Sequence, residues 1–247
     1  MKTIYILWLR QLKRYFRSKS RMIGSLAQPL LFLLSLSFGF GPVFAKAGEG
    51  SYLQFLVPGI VGMSIIFTSI FSGMEIIWDR QFGFLKETLV APVSRFNIMI
   101  GRTLGGATVA AMQGVVVLFV SMIAGFRPVS WLMIPVAILM MLLSALLFTA
   151  LGTVIASNLD DMQGFQLIMN FLVMPLFFLS GAIFPLNDVG ILGTIARFDP
   201  LSYCVDALRH LLSNINNFGF GTDVIVLSAV TFIFLALGSY FFSKIQI

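Results

Sequence analysis

The sequence predicts an all-α, polytopic membrane protein, and three features predict it: high apolar content, scarce charge, and long unbroken apolar runs. Of its 247 residues, 58% are hydrophobic and only 11% are charged. The mean hydropathy is +0.97. Soluble domains carry roughly 25% charged residues, and a water-soluble chain of this size cannot hide so much apolar surface. A bilayer removes the difficulty by acting as an apolar solvent. A hydrocarbon core ~30 Å thick takes about 20 apolar residues per helix. The whole chain, 1–247, then reads as one transmembrane domain of six helices with modest loops. A β-barrel would instead show ~10-residue alternating segments.

The N-terminal stretch is basic, with Lys2, Arg10, Lys13, Arg14, Arg17, Lys19 and Arg21. At ~100° per residue, Arg10, Lys13, Arg14, Arg17 and Arg21 share one helix face. Tyr5, Trp8, Leu9, Leu12 and Phe16 share the other. That pattern predicts an amphipathic interfacial helix over 1–21, apolar side in the lipid and basic side toward anionic headgroups. A signal peptide fits poorly, because the basic stretch is too long.

The apolar segments run over 22–42, 54–78, 97–125, 131–157, 163–184 and 222–243. The first holds Gln28-Pro29, and a proline is tolerated in a span where neighbours re-satisfy the freed carbonyl. In the third, Gly101 and Gly105 form a small-xxx-small pair that lets helices approach closely. Packing within one subunit is the expected use of that pair.

Orientation follows from where lysine and arginine lie. All but Lys46, Arg127, Arg197 and Arg209 of the 16 basic residues fall on one side. That places both termini in the cytoplasm, in the inner (plasma) membrane. The acidic loop Asn158-Leu159-Asp160-Asp161 weighs little in this rule. Between spans five and six, residues 185–221 are broken by Pro185, Gly190, Gly193, Pro200, Gly219 and Gly221. Leu201–Leu212 is too short to span, and Asp206, Arg209 and His210 are costly at the bilayer centre. An external re-entrant helical hairpin is expected there, with His210 on a polar helix face.

Several chemistries are excluded. Cys204 is the single cysteine and His210 the single histidine, so no intrachain disulfide or cysteine-based zinc site can form. Neither H-E-x-x-H nor the phosphate-cradling G-x-x-x-x-G-K-S/T occurs. The chain is therefore expected to be no enzyme and to hold no cofactor or metal. The net charge of +6 is read through its placement at the membrane edge, not as affinity for nucleic acid.

The informative segment is the cytoplasmic loop 79–96. Helical spacing aligns Phe84, Leu85, Thr88 and Leu89, Lys86 and Glu87 flank them, and Ala91-Pro92 ends the helix. A short amphipathic helix in this place either lies on the membrane or fills a groove in a partner. Just before it, Glu75 is an acidic residue at the end of a span, a functional candidate by its cost.

The run Glu75, Asp79-Arg80, Gly83-Phe-Leu-Lys-Glu-Thr-Leu-Val-Ala-Pro92-Val-Ser-Arg95, then Gly101-Arg102, resembles the signature loop of ABC transporter membrane subunits of the type-2 exporter class. Leu179-Ser-Gly-Ala-Ile-Phe-Pro185-Leu followed by Asp199-Pro200-Leu-Ser-Tyr203-Cys-Val-Asp206-Ala-Leu-Arg209 is similar to that family's second signature. With the interfacial helix, the six spans and the hairpin, the resemblance covers essentially the whole chain.

The resemblance implies a permease that dimerises, with itself or with a related permease, and docks two copies of a separate ABC ATPase that binds ATP and Mg. Its coupling helix would be about Phe82–Val90, with Phe82, Phe84, Leu85, Lys86, Glu87, Thr88, Leu89, Pro92 and Arg95 at the ATPase and Glu75, Asp79 and Arg80 in support. Glu75 is expected to pair with Arg80. Aspartates at Leu85 and Leu89 are expected to abolish ATPase association while leaving insertion intact. The substrate path between two chains would be lined by spans one and five, near Gln28, Pro29, Asn170 and Pro175, although such Gln and Asn residues also simply bond between helices. An amphipathic drug, a lipid or a lipid-linked glycan is the implied cargo. A stand-alone transporter or channel is the alternative; such proteins usually hold several intramembrane ionisable groups, and these spans hold almost none.

Overall fold

A computed structural model describes residues 2–46, 51–90, 92–185 and 190–245, without the side chains of 44–46. Ala91, Ile247 and the Lys46 side chain lie outside the described residues. The helices are α1 (Lys2–Arg17), α2 (Lys19–Lys46), α3 (Tyr52–Gln81), α4 (Phe84–Val90), α5 (Arg95–Ile123), α6 (Ile134–Ser157), α7 (Met162–Leu179), α8 (Gly190–Ala196), α9 (Pro200–Ser213) and α10 (Phe220–Ser243). Six of them, α2, α3, α5, α6, α7 and α10, are long and apolar enough to cross a membrane.

The expected boundary at residue 21 is corrected. Ser18 interrupts the helix, its N–H donating to the Tyr15 carbonyl at 3.1 Å and its own carbonyl accepting from Met22 at 3.0 Å. The chain turns there, so Arg21 belongs to α2.

Side chains start two of the other spans. Ser94 caps α5 by accepting from the Asn97 N–H, and Asp161 caps α7 by accepting from Gly164. Each satisfies an amide that the first helical turn leaves free.

The core is built around α3, which is buried against α2, α5, α6, α7 and α9. Lipid tails are as apolar as leucine, so helices associate in a membrane by close packing of small residues. A Cβ on Gly73 would lie 2.4 Å from the Gly152 carbonyl oxygen of α6, and one on Gly59 2.3 Å from the Ala182 oxygen. The outer spans α2, α7 and α10 are far less enclosed.

Both described ends of the chain lie at one end of the bundle. Arg95 donates to the carbonyls of Ser243 and Ile245 at 2.6 and 3.0 Å, and Arg80 donates to the Leu159 carbonyl at 3.2 Å. At the opposite end, Val129 N–H bonds the Leu212 carbonyl at 2.9 Å and Tyr52 Oη bonds that of Ile183 at 3.2 Å. There α9 is packed among α3, α6 and α10, with nearly its whole length buried. His210 is not simply on an open polar face. Its ring is half-buried and stacks on Phe220, the centroids 5.6 Å apart.

Asp199 caps α9, one oxygen accepting from the Leu201 N–H at 2.8 Å and the other without a hydrogen-bond partner among the described residues. Burial pushes its carboxyl up to about 7, against the lowering effect of that amide. A carboxyl raised on folding stabilises most below its unfolded pKa, and the contribution fades as pH rises through the folded value. Thermal melts should therefore show Asp199→Asn, which keeps the cap, gaining several degrees on the parent between about pH 4 and 8. A constant gap across that range would refute the assignment.

Candidate functional site

Glu75 and Asp79 stand one turn apart on α3, so both carboxylates face the same way. They are only 5% and 6% exposed, and a buried carboxylate needs a partner. Four arginines from three helices supply it. Arg10 and Arg14 of α1 reach Asp79 at 3.3 and 3.6 Å, and Arg14 reaches Glu75 at 3.7 Å. Arg21 of α2 bonds Glu75 at 2.6 Å. Arg102 of α5 bonds Asp79 from inside the bundle.

Two expectations are corrected here. Glu75 does not pair with Arg80, which lies five residues on and about 140° around the helix; Arg80 pairs with Asp160 instead. The basic face of α1 is not given over to headgroups either. Arg10, Arg14 and Arg21 turn onto the carboxylates, while Lys13 and Arg17 stay exposed. The other flank of α1 is seated on α5, where Gly101 and Gly105 leave room for Ile4, Leu7 and Gln11. Trp8 donates to Thr108 Oγ1 at 3.0 Å in the same seam. Tyr5 and Phe16 remain exposed, on the side expected to meet lipid.

Gly83, at φ +76°, turns α3 into α4, a left-handed conformation that costs glycine little. Leu85 is 2% exposed and belongs to the chain's own core. It anchors α4 instead of facing a partner, which corrects the expectation for that position. Leu89 and Thr88 are half-buried beside it, and the Thr88 hydroxyl donates to the Phe84 carbonyl at 3.0 Å. Arg10 lies over the Phe84 ring, 4.1 Å from its centroid, so one guanidinium touches α1's partner Asp79 and α4 together. Phe82 at 81% and Val90 at 79% exposure, with Lys86, Glu87 and Pro92, form the outer surface. Arg95 is occupied by the C-terminal carbonyls described above.

Above the carboxylates, the bend between α1 and α2 encloses a cavity of about 530 Å³ against α3. Gln28 and Pro29 line it, with Arg14, Arg21, Glu75 and Trp78. The Glu75 oxygen that faces Arg14 at 3.7 Å has no hydrogen-bond partner among the described residues. Asn170 and Pro175 are not brought there. Both are exposed on α7, as are Phe171 and Phe178. Reasoning from sequence missed Trp78 and Phe71 as cavity walls; their spacing from Glu75 along α3 is the signal that could have found them.

Residues 2–212 match the family model described as ABC-2 type transporter. The chain belongs to that family. Among its relatives, Nodulation protein J of Rhizobium leguminosarum bv. trifolii is 29% identical over 211 residues, covering 84% of this chain and 78% of that protein. Putative transport permease ycf38 of Cyanophora paradoxa is 28% identical, covering 85% and 74%. Probable doxorubicin resistance ABC transporter permease protein DrrC of Mycobacterium tuberculosis is 28% identical, covering 81% and 73%. As an ABC-2 family member the chain is a multi-pass transport permease of an ABC transporter, a class that works with an ABC ATPase and as a dimer.

Proposed function

We propose that this permease is the membrane half of an ATP-driven exporter, worked by two copies of an ABC ATPase docked beneath α4. The observation that carries the reading is a pair of bare apolar residues at the two ends of α4, Phe82 in the turn before it and Val90 as its last residue. Phe82 and Val90 are largely exposed at the charged end of the bundle, and exposed apolar residues so placed mark a docking surface. Lys86 and Glu87 between them add polar contacts of the kind that fix register.

The ATPase binds ATP and Mg; this chain supplies none of that chemistry. Both termini are cytoplasmic in this reading, in the inner membrane, because the end holding them carries most of the basic residues. Movement of α4 passes to α1 through Arg10 and to α3 through Asp79. ATP shifts the permease between states to the extent that it binds one more tightly. A second permease, identical or related, covers the loosely packed faces of α2 and α7, where Phe38 and Phe171 are 79% and 80% exposed. The path then runs between the two chains, past Asn170 and Pro175. The short helices α8 and α9 form the re-entrant hairpin on the outer side.

The cavity at Gln28 and Pro29 joins aromatic walls to two arginines and a carboxylate, which suits an amphipathic cargo: a drug, a lipid or a lipid-linked glycan. The name of one relative, a doxorubicin resistance permease, points to the drug among these.

Co-purification with the ATPase tests the docking surface. Phe82→Asp combined with Val90→Asp should insert and fold normally yet lose the ATPase by about tenfold or more, a fold-change of about 1.4 kcal/mol. Leu85→Asp should instead lower the melting temperature, because it places a charge in the chain's own core. Undiminished association of the Phe82/Val90 variant would overturn the proposal.

A further inference from the structure

The cavity at Gln28 and Pro29 adjoins a second space at the bend between α1 and α2. This is an open groove of about 960 Å³, with Lys13, Arg17 and Lys19 along it. Arg14 and Ser18 line both spaces, so the two meet at the bend. They differ in character. Tyr15, Phe67, Phe71, Met74 and Trp78 give the inner cavity apolar and aromatic walls. The groove is lined by five basic residues and no acidic one.

The carboxylates of α3 account for only part of this charge. Arg10, the first of the five, is hydrogen-bonded to Asp79. Arg14 reaches Glu75 and Asp79 only at 3.7 and 3.6 Å, outside hydrogen-bonding range. Lys13, Arg17 and Lys19 are exposed and form no ion pair or hydrogen bond among the described residues. Arg10, Arg14, Arg21 and Arg102 already outnumber Glu75 and Asp79 by two, and the three unpaired cations add to that excess. Lysine and arginine clustered where spans leave the membrane attract anionic headgroups, and an amphipathic helix places its apolar side among acyl chains. An acidic protein surface would also answer the groove, but it has no chain to put into the apolar cavity beside it.

We infer that the α1–α2 bend holds one anionic phospholipid of the surrounding bilayer. Its phosphate lies among Lys13, Arg14, Arg17 and Lys19, and an acyl chain enters the cavity walled by Phe67, Phe71 and Trp78. A groove alone would take any anion, and a cavity alone any apolar chain. Their junction at Arg14 and Ser18 selects a molecule that carries both. The inference narrows the reading of that cavity as an amphiphile site and rests on it. The leaflet follows from the orientation proposed above; the site itself does not.

Trp78 lines the cavity, and Trp8 and Trp131 are the other tryptophans of the chain. Trp8→Phe with Trp131→Phe therefore leaves Trp78 as the reporter. The full chain with both changes is reconstituted in dioleoylphosphatidylcholine vesicles containing rising fractions of chain-brominated phosphatidylglycerol or chain-brominated phosphatidylcholine. Half-maximal quenching should need about fivefold less of the phosphatidylglycerol, the gain from roughly one cation at a headgroup. Adding Lys13→Gln, Arg17→Gln and Lys19→Gln removes three exposed charges and should abolish the difference. Gly24 also lines the cavity and has nothing within 4 Å of its Cβ, so Gly24→Phe should fill the space without strain and lower the quenching at saturation. A preference for phosphatidylglycerol that survives the triple change overturns the inference, and loss of the co-purified ATPase in that variant would then assign the groove to the ATPase. Equal quenching by the two lipids overturns it too. If Gly24→Phe lowers that equal quenching, the cavity remains an amphiphile site; if it does not, that reading falls as well.

Discussion

Asp79→Ala is expected to destabilise the protein by about 3–5 kcal/mol, the usual result of removing one member of a buried ion pair. Arg102 makes the cost high. It is 5% exposed, its Nε and Nη1 have no hydrogen-bond partner among the described residues, and Asp79 is the carboxylate paired with it directly. Arg10 and Arg14 also lose a contact, but their side chains are 31% exposed and can turn to water. Replacing the inner pair together, Asp79→Leu with Arg102→Met, should recover most of the loss, because apolar replacement of a buried pair is often neutral or better. Melting temperature and the monodisperse fraction in detergent read both variants. A single variant as stable as the parent, or a double variant no better than the single, would show that the pair contributes nothing. The recovered double variant should still couple poorly to the ATPase, since Arg10 no longer links α4 to α3.

Gly73→Val is the second large effect, and it is steric. Its Cβ would meet the Gly152 carbonyl oxygen at 2.4 Å and the carbonyl carbon at 2.6 Å, and a Cβ on Gly152 would meet the Ile70 oxygen at 2.7 Å. The obstacle is backbone on both sides, so no rotamer change relieves it and α3 must leave α6. Overpacking typically costs about 1–3 kcal/mol where side chains can yield; here the loss should exceed that range and little folded protein should be recovered. Gly24→Val is the control, with nothing within 4 Å of its Cβ. A Gly73→Val protein that melts with the Gly24→Val protein would mean that the two helices do not touch as described.

The spans were legible in the sequence because bilayer thickness fixes a length and lipid fixes a composition; both can be read locally. The helix after Gly83 was legible as well, because its apolar spacing and the Ala91-Pro92 stop are local signals. What sequence could not supply was the choice among equivalent partners. Glu75 had basic residues available on α1, α2 and its own helix, and helix rotation decided against Arg80. The apolar stripe of α4 named Leu85 correctly as buried but not what buries it, since a groove in a partner and the chain's own core ask for the same residue. The segment holding α9 read as re-entrant because it is short and charged, but sequence did not say that α9 packs among α3, α6 and α10 with Arg209 held by two carbonyls. Periodicity identifies a face; only the fold says what that face meets.

The two backbone contacts along α3 have a mechanical consequence. Gly59 and Gly73 are 14 residues apart, roughly 21 Å at 1.5 Å per residue, and each touches backbone of a neighbouring segment. A rod pinned at two points cannot rock against its support. The central helices therefore make up a keel, and a push delivered at α4 reaches the far end without being absorbed on the way. The compliant planks are α2 and α7, which have the fewest internal contacts to give up and flank the proposed path.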